Sequence, residues 1–427
     1  MPLNFPVASA AVNRGDDRYS LRTAALLGFF AIAAQRFTLG ATGVQITTVV
    51  MFAAAGVLIV KAKNGLNAIN VLLTAALVLA AYLSTLLAPV ATSVTSLLLL
   101  VGSYILIILR GASEPSLHLG QQFFAGAVTG IKMGGLLGIA QYFVQKMGSG
   151  FFDPLLLVSK QWLVAGFNSY YDLEYSGGQK GEYKPNGIIF LEPSFLSLYC
   201  AIGLVFIVGK IFQPDPDGKA IQTRTRERRR NAVWAIVLVA AIAVSASTSG
   251  LVVLGVALLP LLFTVKRNRL MLLTAGLLTA VGAGMGFFSD LIAKANEGFT
   301  GNTSTALRLT LPYELLSPYW LERPLIGWGP GSASEAIRNV GVPGLQATTI
   351  MKVLIEYGLL GALVVALIAF AALSTSRAPL ALRAAVFAAW LIPSDNLLNS
   401  TLVLLMLVAL PNWGPSTAII QSRTATD

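Results

Sequence analysis

The chain has 427 residues, of which 55% are hydrophobic and 11% charged, with a mean hydropathy of +0.72 and a formal net charge of +11. Soluble domains carry about 25% charged residues, so this composition excludes a soluble globular protein and makes an integral membrane protein the expectation. One histidine and one cysteine leave no residue set for a transition-metal site or an internal disulfide.

Apolar runs long enough for bilayer-spanning helices of about 20 residues recur along the whole chain. Twelve spans are expected, near 21–39, 43–60, 68–88, 92–109, 120–146, 187–212, 231–247, 249–265, 270–288, 347–373, 380–394 and 396–411. Pro393 and Asp395 interrupt the last apolar stretch, which favours a helical hairpin turning at 393–396 over one overlong helix. The expected fold is an all-α polytopic membrane protein, a single transmembrane domain over 1–427. No polar stretch is long enough to bury a core of its own. The first span has no small-residue cleavage site after it and reads as an uncleaved anchor.

Lysine and arginine set the orientation. Arg14, Arg18 and Arg22 precede the first span. Lys61 and Lys63, the run from Arg224 to Arg230, Lys266 to Arg269, and Arg377 and Arg383 then occupy alternate loops. With these loops in the cytoplasm, both termini are cytoplasmic and every basic cluster agrees. The basic loop 219–230 reads as a solvated face against anionic lipid rather than a nucleic-acid patch. Two long loops remain for the other side, near 147–186 and 289–346. Long structured loops usually carry function, and short amphipathic helices are expected in both. The first holds Phe151, Phe152, Trp162, Phe167, Tyr170, Tyr171, Tyr175 and Tyr183, a set suited either to stacking on sugars or to sitting at the membrane interface.

Ionisable groups inside or at the edge of a span are costly unless paired or hydrated, so each is a candidate site. Arg36, Lys132, Glu192, Lys352, Glu356 and Asp395 qualify. Glu192 lies near the outer start of the sixth span, with Pro193 after it and Lys132 of the preceding span as a possible structural partner. Arg308 opens the amphipathic stretch L-R-L-T-L-P-Y-E-L-L, which continues through Tyr313 and Trp320. Its guanidinium suits a diphosphate; pairing with Glu314 is the plainer alternative. Arg323, Arg338, Lys352 and Glu356 are further binding candidates on the same side, the last two spaced to satisfy each other one turn apart. The glycine turn at 327–331 neither follows a strand nor opens a helix with dinucleotide spacing. Cys200 reads as a buried thiol packed as a small hydrophobe. His118 falls in a cytoplasmic loop, and no Ser/His/Asp set can assemble on one side, which excludes a covalent serine mechanism.

The layout of 306–361 resembles the large extracytoplasmic loop of the O-antigen ligase and polymerase (Wzy-like) superfamily. The residues that carry the likeness are an arginine ahead of the turn P-L-I-G-W-G (324–329), then K-V-L-I-E-Y-G-L-L-G entering a new span. The string E-P-S-F-L at Glu192 resembles a motif of bacterial exopolysaccharide polymerases in that superfamily. Two departures separate the chain from the ligases: Gln346 to Thr349 stand where ligases carry a histidine, and Ser247 to Gly250 stand where they carry an S-R-x-G-like turn.

The resemblance implies a GT-C-like glycosyltransferase of the bacterial inner membrane, active on its periplasmic side, with no cofactor and no metal. Its substrates would be undecaprenyl-pyrophosphate-linked oligosaccharide repeat units, and its partners membrane lipids, a polysaccharide co-polymerase and a flippase, with no nucleic acid. Glu192 and Arg308 are the implied catalytic residues. A glycan ligase on the same scaffold, or a transporter of polysaccharide or lipid-linked sugar, are the competing readings.

Overall fold

The computed structural model describes residues 14–40, 44–62, 68–109, 119–164, 183–212, 221–264, 306–342, 344–392 and 396–413. Its helices are α1 (Arg14–Ala33), α2 (Ile46–Ala62), α3 (Ala68–Leu86), α4 (Val94–Tyr104), α5 (Leu119–Val144), α6 (Pro193–Phe212), α7 (Ile221–Ser245) and α8 (Thr248–Thr264). After a single turn at Ala306–Leu309 come α9 (Leu311–Glu322), α10 (Ser332–Val340), α11 (Thr349–Ser374), α12 (Leu380–Leu391) and α13 (Ser400–Leu404). Among the described residues there is no strand, only isolated bridges of Phe37 to Leu163 and Thr38 to Gln45. Four helices are long and apolar enough to cross a membrane: Ala68–Leu86, Leu119–Gly148, Pro193–Ile211 and Thr349–Ser374. Large side chains such as Phe30, Phe52, Leu72, Leu98, Leu363 and Phe370 are exposed, as a lipid-facing surface requires.

The bundle is held by close helix contact. Lipid chains are as apolar as leucine, so helices associate through small residues that let backbones approach. A Cβ added at Gly28 of α1 would lie 1.9 Å from the Phe123 carbonyl oxygen, and one at Gly126 of α5 would lie 1.8 Å from that of Ala25. α5 meets the segment before α6 through Gly134 against Phe190, and α6 itself through Gly138 against Leu196. α6 is the best enclosed of the long apolar helices. Polar side chains within the bundle satisfy one another, as low-dielectric surroundings demand. Trp390 donates to the Tyr104 hydroxyl, which donates to Leu397 O, while Asn396 and Asn399 link Ala389 O to the hydroxyl of Tyr199.

The structure corrects several expected boundaries. The first span ends at Ala33, because the chain then turns to send Arg36 inward. The sixth begins at Pro193 rather than 187, since Gly187 and Ile188 both have positive φ and proline favours the first helical position. The basic run 224–230 is helical, forming the first turns of α7, in keeping with the helix propensity of Arg and Glu. The tenth span is broken at Gly358. The last apolar stretch is divided into α12 and α13; the turn at 393–395, with Asp395, lies outside the described residues, as do the ninth span, His118, and 165–182 and 289–305 of the long loops.

Residues 306–355 carry a small hydrophobic core separate from the main one. Leu316 of α9, Ala333 and Ala336 of α10, Leu345, Ala347, and Met351 and Ile355 of α11 are buried together, with Leu307, Trp320 and Trp328 packed against them. That core seats the segment bearing Arg308 over the N-terminal end of α11.

Candidate functional site

The site begins with the turn that leads into α6. Gln141 of α5 is buried, and its Oε1 accepts from the backbone N–H of Asn186 at 3.0 Å and of Gly187 at 2.9 Å, while its Nε2 donates to Phe152 O at 2.7 Å. Asn186 Oδ1 accepts from the N–H of Ile188 at 3.0 Å. Ile188 holds φ +64°, a conformation that costs a β-branched residue on the order of 1–3 kcal/mol and persists only where surroundings enforce it. Arg36 is the enforcer. Its Nη1 donates to Ile188 O at 2.9 Å and to Asp153 Oδ2 at 2.6 Å, and both members of this ion pair are buried. Asp153 Oδ1 also accepts from Leu155 N.

Four residues further on, Glu192 occupies the N-cap position of α6, its carbonyl accepting from Phe195 N and Leu196 N. Its side chain is buried, 7% exposed, at the positive end of the helix dipole. Ser194 Oγ donates to Oε2 at 2.8 Å, Arg308 Nη2 lies 2.7 Å from the same oxygen, and Gln346 Nε2 donates to Oε1 at 3.3 Å. A charge-assisted bond to guanidinium is roughly twice as strong as a neutral one, so Arg308 is the principal partner. That side chain is 14% exposed, and its other donors meet no partner among the described residues. One turn deeper, Ser197 Oγ donates to Ser247 O and accepts from Gly250 N, tying the Ser247 to Gly250 turn to α6.

The P-L-I-G-W-G turn proves to be a structural plug. α11 breaks at Gly358, φ +62°. Ile355 O and Glu356 O, freed by the break, accept from Trp328 N at 2.7 Å and Gly329 N at 3.0 Å. Leu359 N and Leu360 N donate to Pro324 O at 2.8 Å and Leu325 O at 3.1 Å. The two backbones touch. A Cβ on Gly358 would lie 2.3 Å from the Leu325 carbonyl carbon, and one on Gly327 would lie 2.6 Å from that of Glu356. The glycines are there for close approach, and Ile355 O, Glu356 O, Leu359 N and Leu360 N are satisfied by the turn, with Ser84 Oγ also donating to Glu356 O, as irregular backbone within an apolar bundle requires.

Of the residues singled out from sequence, the fold brings Glu192 and Arg308 together. Lys132 is elsewhere: its ammonium lies over the ring of Trp234, 5.1 Å from the centroid, so it is not the partner of Glu192. Arg308 likewise pairs with Glu192 and not Glu314. Arg323 caps the end of α9 with its guanidinium 5.7 Å from the Trp328 ring. Arg338 is exposed on α10. Tyr313 is exposed and its hydroxyl accepts from Thr348 Oγ1 at 3.1 Å, while Trp320 Nε1 donates to Pro324 O. Lys352 and Glu356 are buried on α11, where Glu356 also supplies a carbonyl to the plugged break. Sequence reasoning missed Ser194 and Gln346 as partners of Glu192. Ser194 was visible within E-P-S-F, and Gln346 stood at the very position where the ligases' histidine is missing. It missed altogether the role of Arg36 and Asp153, whose only signal was a charge at the edge of an apolar run.

Among the described residues no group of His, Cys, Asp and Glu is placed to hold a metal ion. The fold and site define a helical protein with spans suited to a membrane and a buried carboxylate–guanidinium pair at one end of its bundle. The chain matches no family model, no curated protein and no solved structure.

Proposed function

We propose that the protein is a glycosyltransferase that polymerises undecaprenyl-pyrophosphate-linked oligosaccharide repeat units into an exopolysaccharide or O-antigen-type glycan, at the periplasmic face of a bacterial inner membrane. In this reading the chain has about twelve spans with both termini in the cytoplasm, and works beside a flippase and a polysaccharide co-polymerase. The supporting observation is the Glu192–Arg308 pair, in which a partly exposed guanidinium rests on a buried carboxylate. Carboxylate and guanidinium at one point supply the two things glycosyl transfer from a diphosphate needs, a proton acceptor and a charge for the leaving group.

The donor's pyrophosphate carries more charge than one carboxylate and competes for Arg308. Ser194 and Gln346 keep hold of Glu192 as the guanidinium turns to the diphosphate. Glu192 then accepts the proton of the acceptor hydroxyl while that oxygen bonds to the donor's anomeric carbon. The bond from that carbon to the pyrophosphate oxygen breaks, its electron pair leaves with undecaprenyl pyrophosphate, and Arg308 stabilises the departing charge. No nucleotide sugar enters the reaction.

The transporter reading draws on the discontinuous α11, since broken helices form substrate sites in many transporters. Here the backbone groups of the break are already bonded to the turn at 324–329, which leaves them unavailable to an ion. A ligase would use the same pair toward a lipid A–core acceptor. The deciding experiment supplies purified protein in nanodiscs with a lipid-pyrophosphate repeat unit and no other substrate. The expected product is a ladder spaced by one unit. Arg308→Ala should lower the rate by about 10²–10³ and Glu192→Gln by about 10²–10⁴, with insertion intact. If no ladder forms, lipid A–core is added in a second reaction: transfer to it would establish the ligase, and no transfer to either acceptor would favour transport.

A further inference from the structure

The chain that leaves α5 carries an apolar surface with no part in the chemistry at Glu192. α5 opens into a wider turn at Gln145–Ser149, and two short helical turns follow, Pro154–Leu157 and Lys160–Trp162. Met147, Phe152, Leu156, Leu157 and Trp162 are all exposed, Leu157 at 92%. In water each such side chain forgoes the gain of burial, so a patch of them marks a contact surface. The turns are held against the bundle by named bonds. Gln141 Nε2 of α5 donates to Phe152 O at 2.7 Å, Asp153 Oδ2 meets Arg36 at 2.6 Å, and Thr38 N donates to Trp162 O at 2.9 Å. The Trp162 ring lies 3.6 Å from the Cβ position of Gly40. Next to that glycine, Leu39 N donates to Val44 O at 2.8 Å, and both of these side chains are exposed. The connection between α1 and α2 and the segment after α5 thus present one apolar shelf, on the side of the bundle where Arg36 reaches Ile188 O.

The shelf continues a lipid-facing stripe. Leu136, Ala140, Phe143 and Met147 are exposed along the membrane-length helix Leu119–Gly148, at the spacing of one helix face. Its backbone is bonded as an apolar medium demands: the amides of Leu155, Leu156, Val158, Trp162, Leu163 and Val164 all donate, the last to Arg36 O. The apolar stretches that the α1–α2 connection joins, Leu21–Ala33 and Ile46–Val57, are each roughly 20 Å long or less, against about 30 Å of hydrocarbon. That brings the connection within reach of acyl chains. Trp162 and the exposed Lys160 supply the ring and the ammonium favoured at headgroup level. We propose that this shelf inserts into the bilayer leaflet nearer Glu192, with Met147, Leu156 and Leu157 among the upper acyl chains and Trp162 and Lys160 at the headgroups. Sugars stack on aromatic faces, whereas aliphatic side chains lead here. Asp153 belongs to the shelf and its partner Arg36 holds Ile188 O, so contact with lipid fixes the level of the turn before Glu192.

Spin labels on single cysteines in a Cys200→Ala background test the depth, with the full chain in nanodiscs of phosphatidylglycerol and phosphatidylcholine. Each label is read for collisions with oxygen, which concentrates among acyl chains, and with a nickel chelate, which stays in water. A label at Leu157→Cys should favour oxygen several-fold, as should one at Phe370→Cys on the exposed face of α11, whereas Ser334→Cys on α10 should favour the chelate. The chain with its own cysteine gives a second reading through Trp162. Phosphatidylcholine brominated on its acyl chains should quench a larger fraction of the tryptophan emission of the unaltered protein than of Trp162→Phe. A chelate-dominated label at Leu157→Cys would put the shelf in water and overturn the proposal. A label there shielded from both reagents would also overturn it, by showing a cover of protein. Equal fractional quenching of the two proteins would remove Trp162 from the lipid and with it the proposed depth.

Discussion

Two buried residues that shape the approach to Glu192 do not touch it. Arg36 and Asp153 are buried at 3% and 2% side-chain exposure, 117 positions apart in sequence, and they hold Ile188 in a conformation it would otherwise leave. Through Ile188 they set where the chain enters α6, and so where the Glu192 carboxylate points. Removing one member of a buried ion pair leaves the other uncompensated, at a cost of about 3–5 kcal/mol. Arg36→Met should therefore lower thermal stability in detergent, read by fluorescence-detected size exclusion. The double variant Arg36→Met with Asp153→Leu should recover most of the loss, because no charge is then stranded. A double variant as unstable as the single one would show that the pair acts through packing and not charge. Legibility at this scale was uneven. Glu192 and Arg308 stood out because charge within or beside apolar sequence is conspicuous, whereas Gln141, an uncharged amide inside a glycine-rich helix, gave no signal.

Among the elements, α11 and the turn at 324–329 depend on each other. The turn supplies amides and carbonyls that a continuous helix would have supplied itself, and the break at Gly358 makes room for it. Alanine at Gly358 meets both obstacles at once: a positive φ costing about 1–3 kcal/mol, and a Cβ 2.3 Å from the Leu325 carbonyl carbon. Gly358→Ala is expected to displace the turn, which in a limited-proteolysis experiment appears as new cleavage within 324–331. Gly341→Ala, with a positive φ but nothing within 4 Å of its Cβ position, should pay the backbone cost alone and leave that segment protected. Protection of 324–331 in both variants would mean that the turn is held by its side chains. The sequence displayed both glycines and even their order in the motif. It did not show that one closes the gap made by the other, since a backbone-to-backbone fit leaves no trace in side-chain pattern.

On the scale of the whole molecule, groups of different character stand at the two ends of α6. The carboxylate–guanidinium pair lies at its start, and Lys210 stands in its last turn, followed in sequence by the basic first turns of α7. The proposed orientation puts the first outside and the second in the cytoplasm, following the basic residues. Single cysteines in a Cys200→Ala background check it. Ser334→Cys on α10 should react with a membrane-impermeant maleimide added to spheroplasts, while Arg228→Cys on α7 should react only after permeabilisation; both positions are exposed. The reverse pattern would invert the topology and remove the periplasmic reaction with it.

The sequence by itself determined that the protein is helical and rich in apolar spans, because hydropathy is a local sum that folding does not alter. It also placed Glu192 at the mouth of a span and Arg308 on an amphipathic segment, since proline, charge and periodicity act over a few neighbouring residues. Only the tertiary structure decided that these two meet across 116 positions, that Lys132 lies over Trp234 and not beside Glu192, and that a glycine turn seals a broken helix. Those outcomes depend on how helices rotate and slide against one another. Rotation and register are fixed by packing between distant segments, through close contacts that no local pattern records.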